Sequence, residues 1–233
     1  MNLLTYKPIF TCFHKKASNI VFFIAFLFGI LLSENVLAQN EGRWYSVEVL
    51  VFKRLGSEAF AQENWPTNID LSYPSFYQQL KSAESGNFSL LPNSSHILGG
   101  FNYTLRKDNN YRVLTHQSWR QKMDSESKSP AIIISGGETI NGHNELEGSI
   151  TIYIARYLHV ITDLWLTQKK KDNNLTWPNV PQRPDNSSAQ SSFDVTSYPV
   201  ATLRERRRMR SKELHYIDHP LMGVLIHFTP IEE

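Results

Sequence analysis

The sequence has 233 residues, with 24 lysines and arginines against 22 aspartates and glutamates. The first 38 residues hold three of these basic residues and one acidic residue, so the rest of the chain carries 21 of each. A formally neutral domain lacks the global field expected of nucleic-acid or membrane-surface binding, and any electrostatic function must be local. The only cysteine, Cys12, lies in those first residues, which excludes disulfides and thiol chemistry from residues 39–233.

Residues 1–38 are predicted to form a cleavable secretory signal peptide. Basic residues at positions 14–16 precede an apolar run over 20–32, and Val36-Leu37-Ala38 suits a signal-peptidase site. The apolar run is shorter than the roughly 20 residues that a membrane-spanning helix needs. We therefore expect residues 39–233 to act outside the cytoplasm without a membrane anchor.

The first predicted elements of the mature chain are a strand, a loop and a short helix. Residues 44–53 alternate between apolar and polar side chains, which predicts a strand with one buried face. Residues 56–92 are rich in proline, asparagine and aromatic residues and are interpreted as an ordered loop insertion. Ser94 or Ser95 is expected to cap a helix marked by Leu98, Phe101 and Leu105.

The next segments predict three more strands. Residues 111–120 are expected to place Tyr111, Val113, Thr115, Gln117 and Trp119 on one face, and residues 131–135 to end at a glycine pair. Residues 146–168 show the most regular alternation, interpreted as one long strand bent or bulged near Arg156. Its second face is polar and aromatic, which suits contact with solvent or a ligand. That face carries Thr151, Tyr153, Tyr157, His159, Asp163 and Trp165.

The C-terminal part begins with a second loop insertion. Residues 169–199 are rich in asparagine, serine and proline and are expected to be mobile or disordered. Order returns in residues 203–214, and residues 222–230 predict a last strand that completes the sheet. At least five strands with one or two short helices predict a single α+β domain built on a mainly antiparallel β-sheet.

The densest charge lies in residues 204–212. If this segment is a strand, residues two apart point the same way and form one cationic ridge. Guanidinium groups bind carboxylates and phosphates bidentately, so the ridge is a candidate site for an acidic polymer or partner. A solvated strand face with salt bridges to neighbouring acids is the alternative. The ridge residues are Arg204, Arg206, Arg208, Arg210 and Lys212.

A second polar cluster follows at residues 215–219, with His159 and His227 as neighbours across the sheet. Two histidines four apart bind a metal from one helix face, but Pro220 disfavours helical backbone at His219. We expect no metal site and no cofactor. The predicted structural or binding cluster is Arg156, His159, His215, Tyr216, Asp218 and His219.

Catalytic motifs are not found in the sequence. It has no Gly-x-Ser-x-Gly elbow, no His-Glu-x-x-His pair and no phosphate-binding loop. Carboxylate pairs of the kind that glycosidases use are present, but they follow no readable spacing. We therefore expect a protein that is not an enzyme.

Several segments carry distinctive motifs: the opening strand from Trp44 to Phe52, Tyr111-Arg112-Val113-Leu114 with His116 and Trp119, and Leu146-Glu147-Gly148. These motifs give the chain a resemblance to the CsiV family of periplasmic peptidoglycan-binding proteins of Gram-negative bacteria. The resemblance continues through Arg156-Tyr157-Leu158-His159-Val160. The C-terminal stretch from Arg206 to Val224 is its most specific part.

This resemblance implies a non-enzymatic, periplasmic factor that binds peptidoglycan and promotes cell-wall assembly. It further implies support of a class A penicillin-binding protein through that synthase's outer-membrane lipoprotein activator. A protein-interaction adaptor without glycan binding and a peptidoglycan hydrolase are the two alternatives. No binding residues are established for the family.

The residues themselves suggest where such a ligand would bind. The arginine ridge suits the carboxylates of peptidoglycan stem peptides, and sugars stack on aromatic faces such as those of Tyr153, Tyr157 and Trp165. The histidine and aspartate cluster could equally be one buried polar network that joins two strands.

Overall fold

The computed structural model describes residues 42–56, 69–80, 86–140, 143–167, 180–184 and 200–232. The predicted signal peptide and most of the predicted insertion at 169–199 lie outside these ranges, as do parts of the loop at 56–92. No helix within the described ranges is both long and apolar enough to cross a membrane.

Within these ranges the chain forms two five-stranded sheets. Sheet A has the spatial order β3 (Phe88–Leu90), β4 (Tyr111–Lys122), β1 (Trp44–Arg54), β10 (Met222–Pro230) and β9 (Leu214–Asp218). Sheet B has the order β2 (Tyr77–Gln79), β5 (Ala131–Ile140), β6 (His143–Ile154), β7 (Leu158–Thr167) and β8 (Val200–Met209). All paired strands are antiparallel except β2 and β5. The predicted α+β fold with a mainly antiparallel sheet is confirmed.

Side chains from both sheets form one hydrophobic core. The predicted buried face of β1 belongs to it, with Val47, Val49 and Val51 fully buried. The alternating apolar residues of β10 belong to the same core, as the sequence predicts. Since each strand offers every second side chain to this core, the remaining side chains of both sheets point away from it and are available for other contacts.

The outer face of sheet A is partly covered by the short helix α1 (Gly99–Lys107). Leu98, at the N-cap, packs with Leu50 and Phe52 in a second apolar cluster, and Leu105 lies against it. The predicted helix is present, but the prediction that Ser94 or Ser95 caps its N-terminus is wrong. Both serines belong to a 3-10 turn, Asn93–Ser95, that ends before α1 begins.

Strand β4 does not keep one face throughout, contrary to the sequence prediction. Val51 pairs with Thr115 but the next residue, Phe52, pairs with Val113, so Leu114 is an extra residue at a β-bulge. One extra residue reverses the faces on either side of it. Val113 therefore packs on the outer face of sheet A, while Trp119 lies in the central core.

The predicted long strand over residues 146–168 is a β-hairpin. β6 ends at Ile154 and β7 begins at Leu158, and these two residues pair across a three-residue turn. Because Leu158 lies four positions after Ile154, an even step, the alternation of faces runs through the turn without a phase change. This is why the pattern resembles one continuous strand, and why the predicted apolar face is still buried.

Candidate functional site

A cleft with a volume of about 390 Å³ opens between the start of β1, the β6–β7 turn and the segment that follows β8. Its floor is apolar and consists of side chains at most 4% exposed: Tyr45, Ile154, Leu158 and Met209. Its rim is charged and exposed, and consists of Arg43, Arg156, Arg210 and Glu213. Three arginines against one glutamate make the rim basic.

Tyr157, in the β6–β7 turn, is the aromatic residue of the rim. The residue is 41% exposed, and the guanidinium carbons of Arg156 and Arg208 lie 5.5 Å and 4.6 Å from the centroid of its ring. Such cation–π contacts hold an arginine side chain near a ring without neutralising its charge. Neither arginine forms an ion pair with a carboxylate in the described part of the chain, so both guanidinium groups keep donors for an anionic ligand.

The chain leaving β8 forms another wall of the cleft. β8 ends at Met209, so Arg210 and Lys212 follow the strand instead of extending the predicted ridge. The Arg210 guanidinium lies 3.6 Å from Glu213, and both side chains are more than half exposed. His215 Nε2 lies 3.0 Å from the Arg210 backbone nitrogen and 2.8 Å from its carbonyl oxygen, which fixes this wall to β9.

The first two arginines of the ridge already have acidic partners. Arg204 pairs with Asp163 at 2.8 Å, as the register of β7 and β8 places them opposite one another. Arg206 donates to both carboxylate oxygens of Glu126, at 2.9 and 2.6 Å. These hydrogen bonds lower the pKa of the Glu126 carboxyl, so the pair is ionised at neutral pH. At these two positions the arginines form salt bridges with neighbouring acids on the strand face, which is the alternative to a ligand-binding ridge.

Two of the three predicted ligand-binding aromatics are buried. Trp165 is fully buried and packs at 4.9 Å against Tyr73, in a cluster completed by residues outside the sheet. Tyr153 is 6% exposed, stacks on His159 at 4.9 Å and accepts a hydrogen bond from Arg206. Of the three, only Tyr157 presents its ring to solvent, because Tyr73 covers Trp165 and Tyr153 packs between His159 and Arg206.

The predicted polar cluster is divided between the two sheets and does not form one network. Arg156 and His159 belong to the β6–β7 hairpin of sheet B, whereas Tyr216 and Asp218 lie on β9 of sheet A. The expectation of a single network is therefore wrong. The two segments have different hydrogen-bond partners and meet only indirectly, since His215 holds the backbone of Arg210, which lines the same cleft as Arg156.

The β9 residues have their own structural partner, Arg54 at the end of β1. Arg54 donates to the Tyr216 hydroxyl and to the Asp218 carboxylate, each at 2.6 Å. The hydrogen bond from Tyr216 and the contact with Arg54 lower the pKa of Asp218. His219 Nδ1 accepts from the Leu221 backbone N–H at 3.1 Å, which shapes the turn into β10.

The cleft residues that sequence reasoning did not assign to a site include Arg43 and Tyr45, at the N-terminal end of β1. Tyr45 lies on the buried face that the alternation predicts for residues 44–53, at 4% exposure. Arg43, just before the strand, stacks over that ring at 5.9 Å. No sequence signal links these positions to residues 156 and 210, which are more than a hundred residues away.

A second polar group lies on the outer face of sheet A, around the buried carboxylate of Glu48. It accepts hydrogen bonds from the backbone N–H groups of Ile97 and Leu98, at 2.7 and 2.9 Å, and lies 2.7 Å from His116 Nε2. Burial alone would raise the pKa of Glu48, but these contacts outweigh it and the pKa is lowered. Burial and the neighbouring His116 lower the pKa of His96.

The fold and the cleft define an α+β domain with a basic, aromatic-rimmed cleft of ligand size. The chain matches the family model described as "Peptidoglycan-binding protein, CsiV" over residues 20–231, nearly its whole length, and it belongs to that family. The resemblance inferred from the sequence motifs is confirmed, and the family description names binding, not a reaction. No curated protein and no solved structure matches the chain.

Proposed function

We propose that the protein is a non-enzymatic periplasmic factor that binds peptidoglycan in the cleft between β1, the β6–β7 turn and the end of β8. One observation carries the proposal: Arg156 and Arg208 lie beside the exposed ring of Tyr157 without a carboxylate partner among the described residues. Of the cationic ridge predicted over residues 204–212, the proposed ligand site therefore includes only the arginines next to the cleft.

The chemistry of the cleft suits a peptidoglycan fragment. Stem peptides carry carboxylates, which guanidinium groups bind with two parallel hydrogen bonds. Sugar rings pack on exposed aromatic faces, a role open to Tyr157. A volume of about 390 Å³ is within the usual range of small-ligand sites and is enough for one sugar or a short peptide. The apolar floor adds contact area for the non-polar side of the sugar or of the peptide.

The test is co-sedimentation of the purified protein with isolated sacculi across a salt series. The double variant Arg156→Gln, Arg208→Gln should bind at least about tenfold more weakly, equivalent to about 1.4 kcal/mol. The matched control is Arg204→Gln, Arg206→Gln, which removes the same formal charge from residues already paired with Asp163 and Glu126. The control should bind within about twofold of the unmodified protein.

Binding should weaken as salt rises, since exposed charges are screened over about 10 Å at 0.1 M. The supernatant should contain no soluble muropeptides. Equal losses in both double variants would contradict the cleft and favour a diffuse basic surface. Absence of binding at low salt would favour the adaptor alternative, and released fragments would favour a hydrolase.

We further propose that the protein supports a class A penicillin-binding protein through its outer-membrane lipoprotein activator, as the family resemblance implies. Glycan polymerisation by the purified synthase, with its activator and with or without this protein, measures the effect. A rate that does not change on addition of the protein would contradict this part of the proposal and leave wall binding as a separate result.

A further inference from the structure

The group around Glu48 faces a second pocket, on the opposite face of sheet A from the central core. Glu48 lies on β1, His116 on β4, and His96 just before α1. One potential ligand atom from each of the three side chains lies within 4.8 Å of the other two, and the pocket beside the two histidines has a volume of about 400 Å³. No other described residues bring three metal-ligating side chains this close.

We propose that Glu48, His96 and His116 bind a divalent transition-metal ion of the Zn²⁺ type, with the remaining coordination position open to this pocket. Histidine nitrogen and carboxylate oxygen are standard Zn²⁺ ligands, at about 2.0–2.2 Å from the ion. Two ligand atoms on one tetrahedral ion are then about 3.4 Å apart. Glu48 Oε1 and His116 Nε2 are now 2.7 Å apart, and the ligand atoms of all three residues lie within 4.8 Å of one another, so these separations bracket that value.

The arrangement of the two histidine rings also suits a shared ion. Their centroids are 4.0 Å apart and their planes are tilted by 42°, so they neither stack in parallel nor point away from each other. His116 is nearly buried, with 5% of its side chain exposed, whereas His96 is partly exposed on the pocket side. An ion therefore has an entry path past His96.

The carboxylate of Glu48 can serve the helix and the ion together. An ionised carboxylate has about four lone-pair positions, and the Ile97 and Leu98 N–H groups use two of them. A metal would replace the contact with His116 and leave both backbone hydrogen bonds in place. Arg106 is the one lysine or arginine among the described residues that line the pocket, and its side chain donates a hydrogen bond to Asn102 at 2.9 Å.

The experiment measures Zn²⁺ binding to the purified protein by competition with a chromophoric chelator. One equivalent should bind, and His96→Gln should weaken its affinity at least about tenfold, since loss of even a residue that supports a metal ligand costs about 10–100-fold. His143→Gln is the matched control, because His143 also contacts a buried glutamate, Glu147, at 3.2 Å. The control should bind Zn²⁺ as the unmodified protein does.

Two further readouts separate metal binding from a structural role. Co²⁺ should give the visible absorption of a tetrahedral centre, and that absorption should disappear in His96→Gln, whose partly exposed side chain is not required for the core. The melting temperature should rise with Zn²⁺ concentration, because a ligand that binds only the folded state stabilises it. Lack of stoichiometric Zn²⁺ binding, or unchanged affinity in His96→Gln, would overturn the proposal. Sacculus binding is measured separately, so either proposal can fail alone.

Discussion

Replacing Gly148 with alanine should destabilise the fold strongly, although the change adds a single methyl group. Gly148 lies in β6 between Ile134 of β5 and Leu164 of β7. Its φ is +131°, a conformation that is essentially restricted to glycine. A Cβ there would lie 2.1 Å from the carbonyl oxygen of Asp163, whereas ordinary contacts begin near 3.4 Å.

The expected loss follows from these two costs. Backbone strain contributes about 1–3 kcal/mol, and overpacking contributes about 1–3 kcal/mol more. The free energy of unfolding should therefore fall by about 2–6 kcal/mol. With a urea m-value of about 2 kcal/mol/M, the unfolding midpoint should drop by about 1–3 M.

Urea unfolding followed by tryptophan fluorescence measures this loss, since Trp119 and Trp165 are fully buried. Gly100→Ala is the control, because Gly100 lies in the first turn of α1 and a Cβ there meets no atom within 4 Å. That change should be neutral or stabilise the protein by up to about 1 kcal/mol. A loss below about 1 kcal/mol in Gly148→Ala would refute the steric reasoning.

Two other variants test the charged contacts. Glu145→Gln should cost about 2–3 kcal/mol, because the nearly buried carboxylate accepts charged hydrogen bonds from Lys53 and Arg112, and urea unfolding measures the loss. Glu126→Gln should cost stability at pH 7 but not at low pH. Arg206 lowers the pKa of Glu126 in the folded state, so this stabilisation is present above the ordinary carboxylate pKa and is lost as pH falls through the lowered value. If Glu126→Gln differs from the unmodified protein in stability by the same amount at pH 7 and at pH 3, the predicted pH dependence is contradicted.

Alternation along the chain was enough to identify β1, β10 and the apolar face of the β6–β7 hairpin. A strand directs every second side chain to the same side, so a buried face leaves a pattern of period two in the sequence. That pattern does not report a turn that preserves the phase, as between Ile154 and Leu158. It is also misleading at a bulge, as at Leu114, where one extra residue exchanges the two faces.

Local composition also identified the arginine-rich segment 204–212, and the sequence motifs identified the CsiV family. Which arginines are available for a ligand was decided by partners distant in sequence. Glu126 neutralises Arg206 from 80 residues away, whereas Arg208 lies over the ring of Tyr157 and has no carboxylate partner among the described residues. Likewise, Trp165 looks accessible in the strand pattern but is covered by Tyr73.

The sequence by itself therefore determined several of the long strands, the α+β class, the family and the chemical character of the charged surface. The tertiary structure decided the location of the cleft, the pairing of each arginine and the convergence of Glu48, His96 and His116. The physical reason is that periodicity and composition are local properties of the chain. Burial and ion pairing depend on which residues of a distant segment lie opposite a given side chain. The register between paired strands determines those neighbours.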